Sequence, residues 1–393
     1  MEVRSLPLSA RRSRLTPTVL AYAAFVPTGL ITVLLGPLLP TLAARWSLDD
    51  TQAGYLITAQ FLGSLLGTVA SGPFVARVRF RWSMVAGLAM MAAGTATLVT
   101  HTYAWGIGSA FCYGMGTGLT VPTTNLLVAR AAGERRSSTL NLLNFFWGAG
   151  AVVCPFLLAA FQRGGRLSSF LFGVAGGFGL LIVGFLTLPV NMPDLAYDSP
   201  FPWDQSIVRV LRSPLALILG VLFFVYVGTE SSFGAWLASY GKRIITAQGD
   251  VWVTVPSYFY GALLLGRLAA PLTLRRLSDL IQARWGAVLA VVGSAALLNS
   301  HSLPGVIFAA LLVGLGLSTL YPIAIGFLSS SFGEAAPHVA SILFALSTLG
   351  AAFLPWLVGF VSTQAGSLRT ALVVPFAGCF VIAGLFWTPR FRA

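Results

Sequence analysis

The sequence predicts an all-α membrane protein with twelve transmembrane helices, arranged as two six-helix bundles related by a pseudo-two-fold axis along the membrane normal. Three observations predict this fold: the composition, a series of long apolar segments, and a repeat between the two halves of the chain. Of the 393 residues, 56% are hydrophobic and only 9% are charged, whereas about 25% are charged in an average soluble domain. The composition therefore favours an integral membrane protein over a soluble one.

Apolar segments of about 20 residues recur along the whole chain, and about 20 helical residues cross roughly 30 Å of hydrocarbon. The strands of a membrane barrel would instead produce alternating segments of about ten residues, a pattern that the sequence lacks. We number the twelve predicted segments spans 1 to 12, with the limits 18–43, 52–76, 83–100, 104–131, 138–161, 168–189, 214–240, 252–274, 285–300, 303–330, 338–362 and 369–388.

The distribution of basic residues predicts the orientation in the membrane. The chain has 24 basic and 11 acidic residues, a net charge of +13. If the N-terminus is cytoplasmic, most of the arginines fall on the cytoplasmic side, as the positive-inside rule requires. We therefore interpret the positive charge as loop charge and not as a nucleic-acid-binding surface. We expect a multi-pass protein of the cell (inner) membrane with both termini in the cytoplasm.

An internal repeat relates the two halves. Residues 113–134 align with residues 313–334 at an offset of 200 without a gap, and spans 2 and 8 align at an offset of 198. The matched positions include Gly114 and Gly314, Gly116 and Gly316, and Pro122 and Pro322. Each half holds six spans, an even number, so both halves cross the membrane in the same sense and the axis lies along the membrane normal.

A polar segment separates the two repeats and predicts the division into domains. The segment 191–213 holds three aspartates and several prolines, which are typical of a linker. We expect an N-terminal six-helix bundle at 1–190, a cytoplasmic linker at 191–213 and a C-terminal six-helix bundle at 214–393.

One carboxylate, Glu230, lies deep within span 7. A charge at the bilayer centre costs roughly 2.5–3.5 kcal/mol, so such a residue faces the bundle interior or a cavity. At about 100° per residue, Glu230 shares one arc of the helix with four aromatic residues, Tyr226, Phe233, Trp236 and Tyr240. Aromatic rings stack on the C–H faces of sugars and a carboxylate accepts hydrogen bonds from hydroxyls. This arc predicts a substrate-binding face, with Glu230 also the candidate for proton coupling. A protonated or salt-bridged structural glutamate is the alternative.

Other spans supply polar or aromatic side chains that we predict to complete the substrate site. These residues are Gln60 in span 2, Asn125 in span 4, and Asn141, Asn144 and Trp147 in span 5. Each amide has an alternative role, because an amide can also cap a broken helix or bond to a neighbouring backbone group.

Basic residues near the spans are candidates for a charge partner or a gate. Arg267 lies within span 8, at a depth comparable to Glu230, and a long side chain there can alternatively reach the interface. Arg77, Arg81 and Arg275 lie in the loops after spans 2 and 8, where they can contact helix ends in one conformational state and release them in another. A purely topogenic role for these loop residues is the other interpretation.

The remaining reactive residues do not form a catalytic or metal-binding set. The three cysteines lie inside apolar segments, and the three histidines lie at predicted helix ends. Neither pattern has the spacing of a metal site or a disulfide framework, and an enzyme needs a clustered nucleophile, base or metal. We therefore expect no enzymatic activity, no metal and no cofactor.

Several motifs resemble a known family. The loop 72–82, GPFVARVRFRW, resembles the signature between spans 2 and 3 of the major facilitator superfamily, although the usual acidic residue is absent. The stretch 226–240, YVGTESSFGAWLASY, looks like the span-7 signature of the fucose permease-like sugar transporters, and 140–155, LNLLNFFWGAGAVVCP, resembles their span-5 pattern. The resemblance covers essentially the whole chain and implies transport of a monosaccharide or polyol by alternating access.

The chain departs from this group in one respect that bears on coupling. Fucose permease carries acidic residues in spans 1 and 4, and the corresponding stretches here, around Gly36 and Thr120, have none. Either Glu230 takes the proton, or the protein is a facilitator without a proton step.

Two other functions remain open at this level: an efflux pump for amphipathic compounds, and a solute receptor that does not transport. The first favours a cavity rich in methionine, and the chain has only six; the second normally requires a cytoplasmic output domain. The expected partners are a sugar-like small molecule and the lipid bilayer, together with protons if transport is proton-coupled, with no nucleic acid and with the protein acting as a monomer.

Overall fold

The computed structural model describes residues 8–98, 102–132, 136–187, 213–244, 249–273 and 277–389. These residues form helices and short connections, with no β-strand in any of the described ranges. The predicted linker 191–213 lies outside the described residues except for Ser213.

The helices, numbered in chain order, are α1 (Leu8–Val33), α2 (Leu35–Trp46), α3 (Asp50–Thr97), α4 (Tyr103–Ala132), α5 (Arg136–Arg163), α6 (Leu167–Thr187), α7 (Pro214–Ile244), α8 (Val255–Thr273), α9 (Asp279–Leu298), α10 (Leu303–Leu317), α11 (Leu320–Phe332), α12 (Ala336–Ala365), α13 (Leu368–Ala371) and α14 (Val373–Phe386). Span 1 comprises α1 and α2, spans 2 and 3 both lie in α3, span 10 comprises α10 and α11, and span 12 comprises α13 and α14.

The helix count agrees with the predicted twelve spans. Within the described ranges, eight helical segments are long and apolar enough to cross a membrane, or nine if α1 and α2, bent by 44°, count as one span. α3 is 48 residues long and supplies two spans. α4 and α8, of 30 and 19 residues, supply the remaining two.

α3 reverses direction at Arg79, where the backbone has φ 67°. The first part of α3 runs parallel to α4 and the second part runs antiparallel to it, since the first part contacts later residues of α4 as it advances and the second part contacts earlier ones. The neighbouring residues are Gly63 and Phe111, Gly67 and Met115, Gly94 and Tyr113, and Gly87 and Gly116. The reversal thus brings spans 2, 3 and 4 together as one unit.

The helices pack as two groups. In the first half, α1 packs on α4, α5 and α6, and α3 packs on α4 and α6; in the second half, α7 packs on α12 and α14, and α10 packs on α8 and α9. The most extensive contacts between helices of the two halves are those of α2 with α7, α3 with α12, and α5 with α8. The predicted fold of two bundles is confirmed.

The repeat is visible in the packing. A Cβ at Gly150 of α5 would lie 1.9 Å from the carbonyl oxygen of Val26, and a Cβ at Gly350 of α12 would lie 2.0 Å from that of Phe224. The glycines are 200 residues apart and their partners 198 apart. Both halves therefore use the same glycine to bring two helix backbones together, as is typical of membrane helix pairs.

Gly36 and Gly234 mark the pseudo-two-fold axis. They are also 198 residues apart, and they contact each other: a Cβ at Gly36 would lie 2.1 Å from the carbonyl oxygen of Gly234. A residue that touches its own symmetry mate lies close to the axis. The crossing of α2 and α7 therefore brings the backbones of the two halves into close contact near the axis.

Gly150→Ala tests the glycine contact. We expect a lower unfolding temperature in detergent, because the added methyl group forces the backbones of α1 and α5 apart and overpacking of this kind costs about 1–3 kcal/mol. Gly176→Ala in α6 is the matched control, since nothing lies within 4 Å of its Cβ position. Equal unfolding temperatures for the two variants would contradict the assigned packing.

Candidate functional site

A cavity of about 140 Å³ lies between the two halves. α1, α2, α3 and α5 of the first half line it, together with α7 and α8 of the second half. The polar and aromatic residues of the lining are Thr32, Gln60, Phe61, Trp147, Glu230, Ser231 and Tyr260. The cavity therefore combines one carboxylate with an amide, three hydroxyl groups and an indole.

Glu230 faces this cavity from α7 and pairs with Arg267 of α8. The carboxylate Oε2 lies 3.6 Å from Nη2 of Arg267, and the two side chains are only 15% and 29% exposed. Because removing one member of a buried pair leaves the other charge without compensation, the arginine allows a carboxylate to remain in the membrane interior. The guanidinium Nε of Arg267 also donates to the carbonyl oxygen of Ser318, at 3.3 Å.

The four aromatic residues of the predicted arc turn into the second bundle. The Tyr226 hydroxyl donates to the carbonyl oxygen of Leu317 at 2.8 Å. Phe233 packs against Phe259, with the ring centroids 6.1 Å apart. Because these side chains lie away from the cavity lining, their role in substrate binding stays a prediction.

The other two residues of the arc, Trp236 and Tyr240, form hydrogen bonds with neighbouring helices. The indole Nε1 of Trp236 donates to the carbonyl oxygen of Pro355 at 2.8 Å. The Tyr240 hydroxyl donates to the carbonyl oxygen of Leu297 at 3.2 Å and accepts from Nε of Arg369 at 3.2 Å. Both side chains are nearly fully buried, so in this conformation their contacts are with protein.

Gln60 lines the cavity from α3, as the predicted site requires. Its Nε2 donates to the carbonyl oxygen of Thr32 at 2.7 Å, and its Oε1 accepts from the Tyr113 hydroxyl at 2.8 Å. These bonds fix the orientation of the amide. Trp147 of α5 lines the same cavity, so the structure brings Gln60, Trp147 and Glu230 together.

The three asparagines lie elsewhere. Asn125 and Asn144 each donate from Nδ2 to a carbonyl oxygen of their own helix, that of Val121 and that of Leu140, both at 3.0 Å. Asn141 and Asn144 are exposed, on the part of α5 that precedes Trp147. Their contact with a substrate stays a prediction.

Two of the loop arginines, Arg77 and Arg81, lie near the reversal of α3. Arg77 is exposed. Arg81 is partly buried, and its Nε has no hydrogen-bond partner within the part of the chain that the structure describes. Arg275 lies outside the described residues. The gating role predicted for these residues stays a prediction.

The prediction from the sequence missed three hydroxyl-bearing residues of the cavity lining: Thr32, Ser231 and Tyr260. Thr32 is 198 residues before Glu230, so the repeat pairs the two positions. This pairing is the sequence signal that could have identified Thr32 as a cavity residue. The Tyr260 hydroxyl fits against Gly234, where a Cβ would lie 2.0 Å away. A tyrosine in an apolar helix carries no comparable pattern, so Tyr260 became identifiable only when α8 was placed beside α7.

The two halves are tied together at the end of the molecule that carries Asp50, which we call the Asp50 end. The carboxylate of Asp50 pairs with Arg243 of α7, with an Oδ1–Nη2 distance of 2.5 Å, and accepts from the Ser362 hydroxyl of α12. The backbone N–H of Thr51 donates to the Thr363 hydroxyl at 3.0 Å. One carboxylate thus links the start of α3 to two helices of the second half.

α1 and α2, which lie on the two sides of the bend at Leu34, have different neighbours. α2 packs against α7 and α8 of the second half, whereas α1, beyond the bend at Leu34, packs against α2 and against α4, α5 and α6 of its own half. The cavity therefore lies below a closed Asp50 end. This is the arrangement of an alternating-access protein that is closed on one side.

Comparison with known proteins identifies the family. Residues 21–279 match the family model of the Major Facilitator Superfamily. The chain belongs to this superfamily. Since its members are transporters, the prediction that the chain is not an enzyme is confirmed.

Individual members of the Major Facilitator Superfamily resemble the chain along most of its length. A glucose/galactose transporter of Brucella abortus is 24% identical over 371 residues, covering 89% of this chain and 88% of the relative. The structure of the nucleoside transporter NupG superimposes with a TM-score of 0.80 at 12% identity, covering 95% of this chain and 98% of that one.

The E. coli fucose:proton symporter FucP superimposes with a TM-score of 0.64 at 18% identity, covering 97% and 99% of the two chains. The predicted resemblance to the fucose permease-like transporters is confirmed.

Asp50→Asn tests the closed end. We expect the halves to open there more often, because the lost ion pair is worth about 1 kcal/mol, a roughly five-fold shift in the ratio of two states. Spin labels at the exposed positions Ala44 and Gln364 report the distance between the halves. Asp49→Asn is the control, since Asp49 only caps α3 and asparagine caps a helix equally well. The same distances in both variants would exclude the proposed closure.

Proposed function

We propose that the chain is a secondary transporter that carries a monosaccharide or a similar polar small solute across the membrane by alternating access. The observation that carries this proposal is the cavity between the two halves, which contains the paired carboxylate of Glu230 and lies below a closed end. Transporters of this architecture bind their substrate near mid-membrane between the repeats and rock the halves around it.

The chemistry of the cavity supports a sugar-like substrate. The Glu230 carboxylate and the Gln60 amide can accept or donate hydrogen bonds to substrate hydroxyls, and the Tyr260 hydroxyl adds a third group. The indole of Trp147 offers an apolar face for the C–H side of a sugar ring. The names of the relatives, a glucose/galactose transporter and a fucose:proton symporter, support the same substrate class.

We further propose that the protein spans the cell (inner) membrane with both termini in the cytoplasm. The concentration of arginines on the side of the termini supports this orientation. In that orientation the Asp50 end is extracellular, and the conformation is closed to the outside. The halves 1–190 and 214–393 then move as two bodies joined by the cytoplasmic linker 191–213. One chain supplies both walls of the cavity, which supports a monomer as the working unit.

Counterflow in proteoliposomes tests the substrate class. We expect liposomes preloaded with the transported sugar to accumulate labelled sugar, in a panel that contains monosaccharides, a polyol and a nucleoside. Comparing uptake with and without an imposed pH gradient separates a proton symporter from a facilitator. Efflux of amphipathic compounds without sugar flux would favour the efflux pump, and specific binding without any flux would favour a receptor.

Glu230→Gln tests the role of the carboxylate. We expect sugar counterflow to fall about 10–100-fold, because hydrogen bonds to a charged group contribute about 1.5–3 kcal/mol. Asp250→Asn makes the same chemical change at a residue outside the cavity lining and should leave counterflow unchanged. Retained counterflow in Glu230→Gln together with loss of pH-driven accumulation would assign the residue to proton coupling alone.

A further inference from the structure

The interruption of span 10 lies beside Glu230 and Arg267. α10 ends at Leu317 and α11 begins at Leu320. Pro322 has no N–H group, so it cannot pair with the carbonyl of Ser318 four residues earlier. The carbonyl oxygens of Leu317 and Ser318 therefore mark the negative end of a half-helix inside the membrane.

Two side chains satisfy these carbonyl groups. The Tyr226 hydroxyl donates to the oxygen of Leu317 at 2.8 Å, and Nε of Arg267 donates to that of Ser318 at 3.3 Å. Gly266 permits the close approach of α8, because a Cβ there would lie 2.2 Å from the Ser318 hydroxyl. A cation thus rests on the end of a half-helix, which is the favourable place for positive charge.

In the first half, a hydroxyl group and not a guanidinium satisfies the carbonyl that a proline leaves unpaired. Pro122 of α4 is the repeat mate of Pro322, and it leaves the carbonyl of Gly118 without its helical partner. The Thr68 hydroxyl of α3 donates to that oxygen at 3.3 Å, and α4 continues without interruption. A neutral hydroxyl is therefore sufficient to satisfy this carbonyl. The offset of 198 pairs Arg267 with Val69, the neighbour of Thr68.

Arg267 contacts two groups at once, whereas Thr68 contacts one carbonyl, because a guanidinium has several N–H groups. Its Nε donates a hydrogen bond to the Ser318 carbonyl oxygen, and its Nη2 lies 3.6 Å from Oε2 of the cavity carboxylate Glu230. We propose that Arg267 is a positioning residue that transmits the state of Glu230 to the interruption of span 10, so that substrate binding in the cavity moves α10 against α11. This inference deepens the proposed function and rests on it for the identity of the bound substrate.

Separate measurements of turnover and of substrate binding distinguish this role from simple capping of the Ser318 carbonyl. In Arg267→Gln we expect the KM for the transported sugar to stay within about three-fold while turnover falls about ten-fold or more, since the lost interaction serves the conformational step. Arg267→Lys keeps the cation but not the planar fork and should recover part of the turnover. Thr68→Val, the control, removes the matching cap of the first half and should retain the turnover of the native chain per folded molecule.

Hydrogen exchange at residues 315–323 measures the transmission directly. We expect sugar to change the exchange of these amides in the native chain and to leave it unchanged in Arg267→Gln, even though that variant binds the sugar. Native turnover in Arg267→Gln, or a sugar-dependent change of exchange that persists in it, would overturn the inference.

A third comparison needs no sugar and so separates this inference from the proposed function. Glu230→Gln should change exchange at 315–323 when Arg267 is present and have no effect in the Arg267→Gln background. If the native chain moves none of the sugars tested, the proposed function fails, and this comparison alone decides the inference. An equal effect of Glu230→Gln in both backgrounds would reject it. Monodisperse elution of every variant establishes that each one is folded.

Discussion

The contact between Gly36 and Gly234 decides how the two halves meet. The absence of side chains at these positions lets the backbones of α2 and α7 touch near the pseudo-two-fold axis. That contact sets the rotation of α7 about its own axis, with Gly234 and Ala235 facing the first half. Glu230 and Ser231 then border the cavity, and Phe233, Trp236 and Tyr240 turn into the second bundle. The position of the cavity and the composition of its walls follow from this one crossing.

Electrostatics in the membrane interior accounts for the next level of organisation. A carboxylate there requires compensation, and Arg267 supplies it at 3.6 Å. The same guanidinium lies on the C-terminal end of α10, where the carbonyl dipoles favour a cation. Glu230, Arg267 and the interruption of span 10 are thus mutually dependent. The first half has a hydroxyl, Thr68, near the matching place, and Thr32 stands where the second half has Glu230, so the charged machinery belongs to one half only.

The closure at the Asp50 end depends on a small number of polar contacts. At the Asp50 end, one carboxylate links α3 to α7 and α12 through an ion pair and a hydroxyl. Arg243 is 46% exposed in this pair, and exposed pairs contribute little stability. Contacts of this strength favour the state that is closed at the Asp50 end without preventing the state that is open there. The cavity beneath it therefore belongs to a protein whose two conformations can interchange.

The sequence by itself determined the membrane class, the twelve spans, the repeat and the position of Glu230 deep within span 7, because hydropathy, glycine and proline spacing and a lone membrane carboxylate are local properties. A helical wheel placed Glu230 and the aromatic residues on one arc correctly, but it contains no information about which neighbour each part of the arc meets. Only the tertiary structure decided that Glu230 meets the cavity, that Tyr226 and Arg267 meet the carbonyl groups of span 10, and that Tyr260 and Thr32 complete the walls. Helix rotation is set by contacts between residues distant in the chain, above all by the two glycines at the axis.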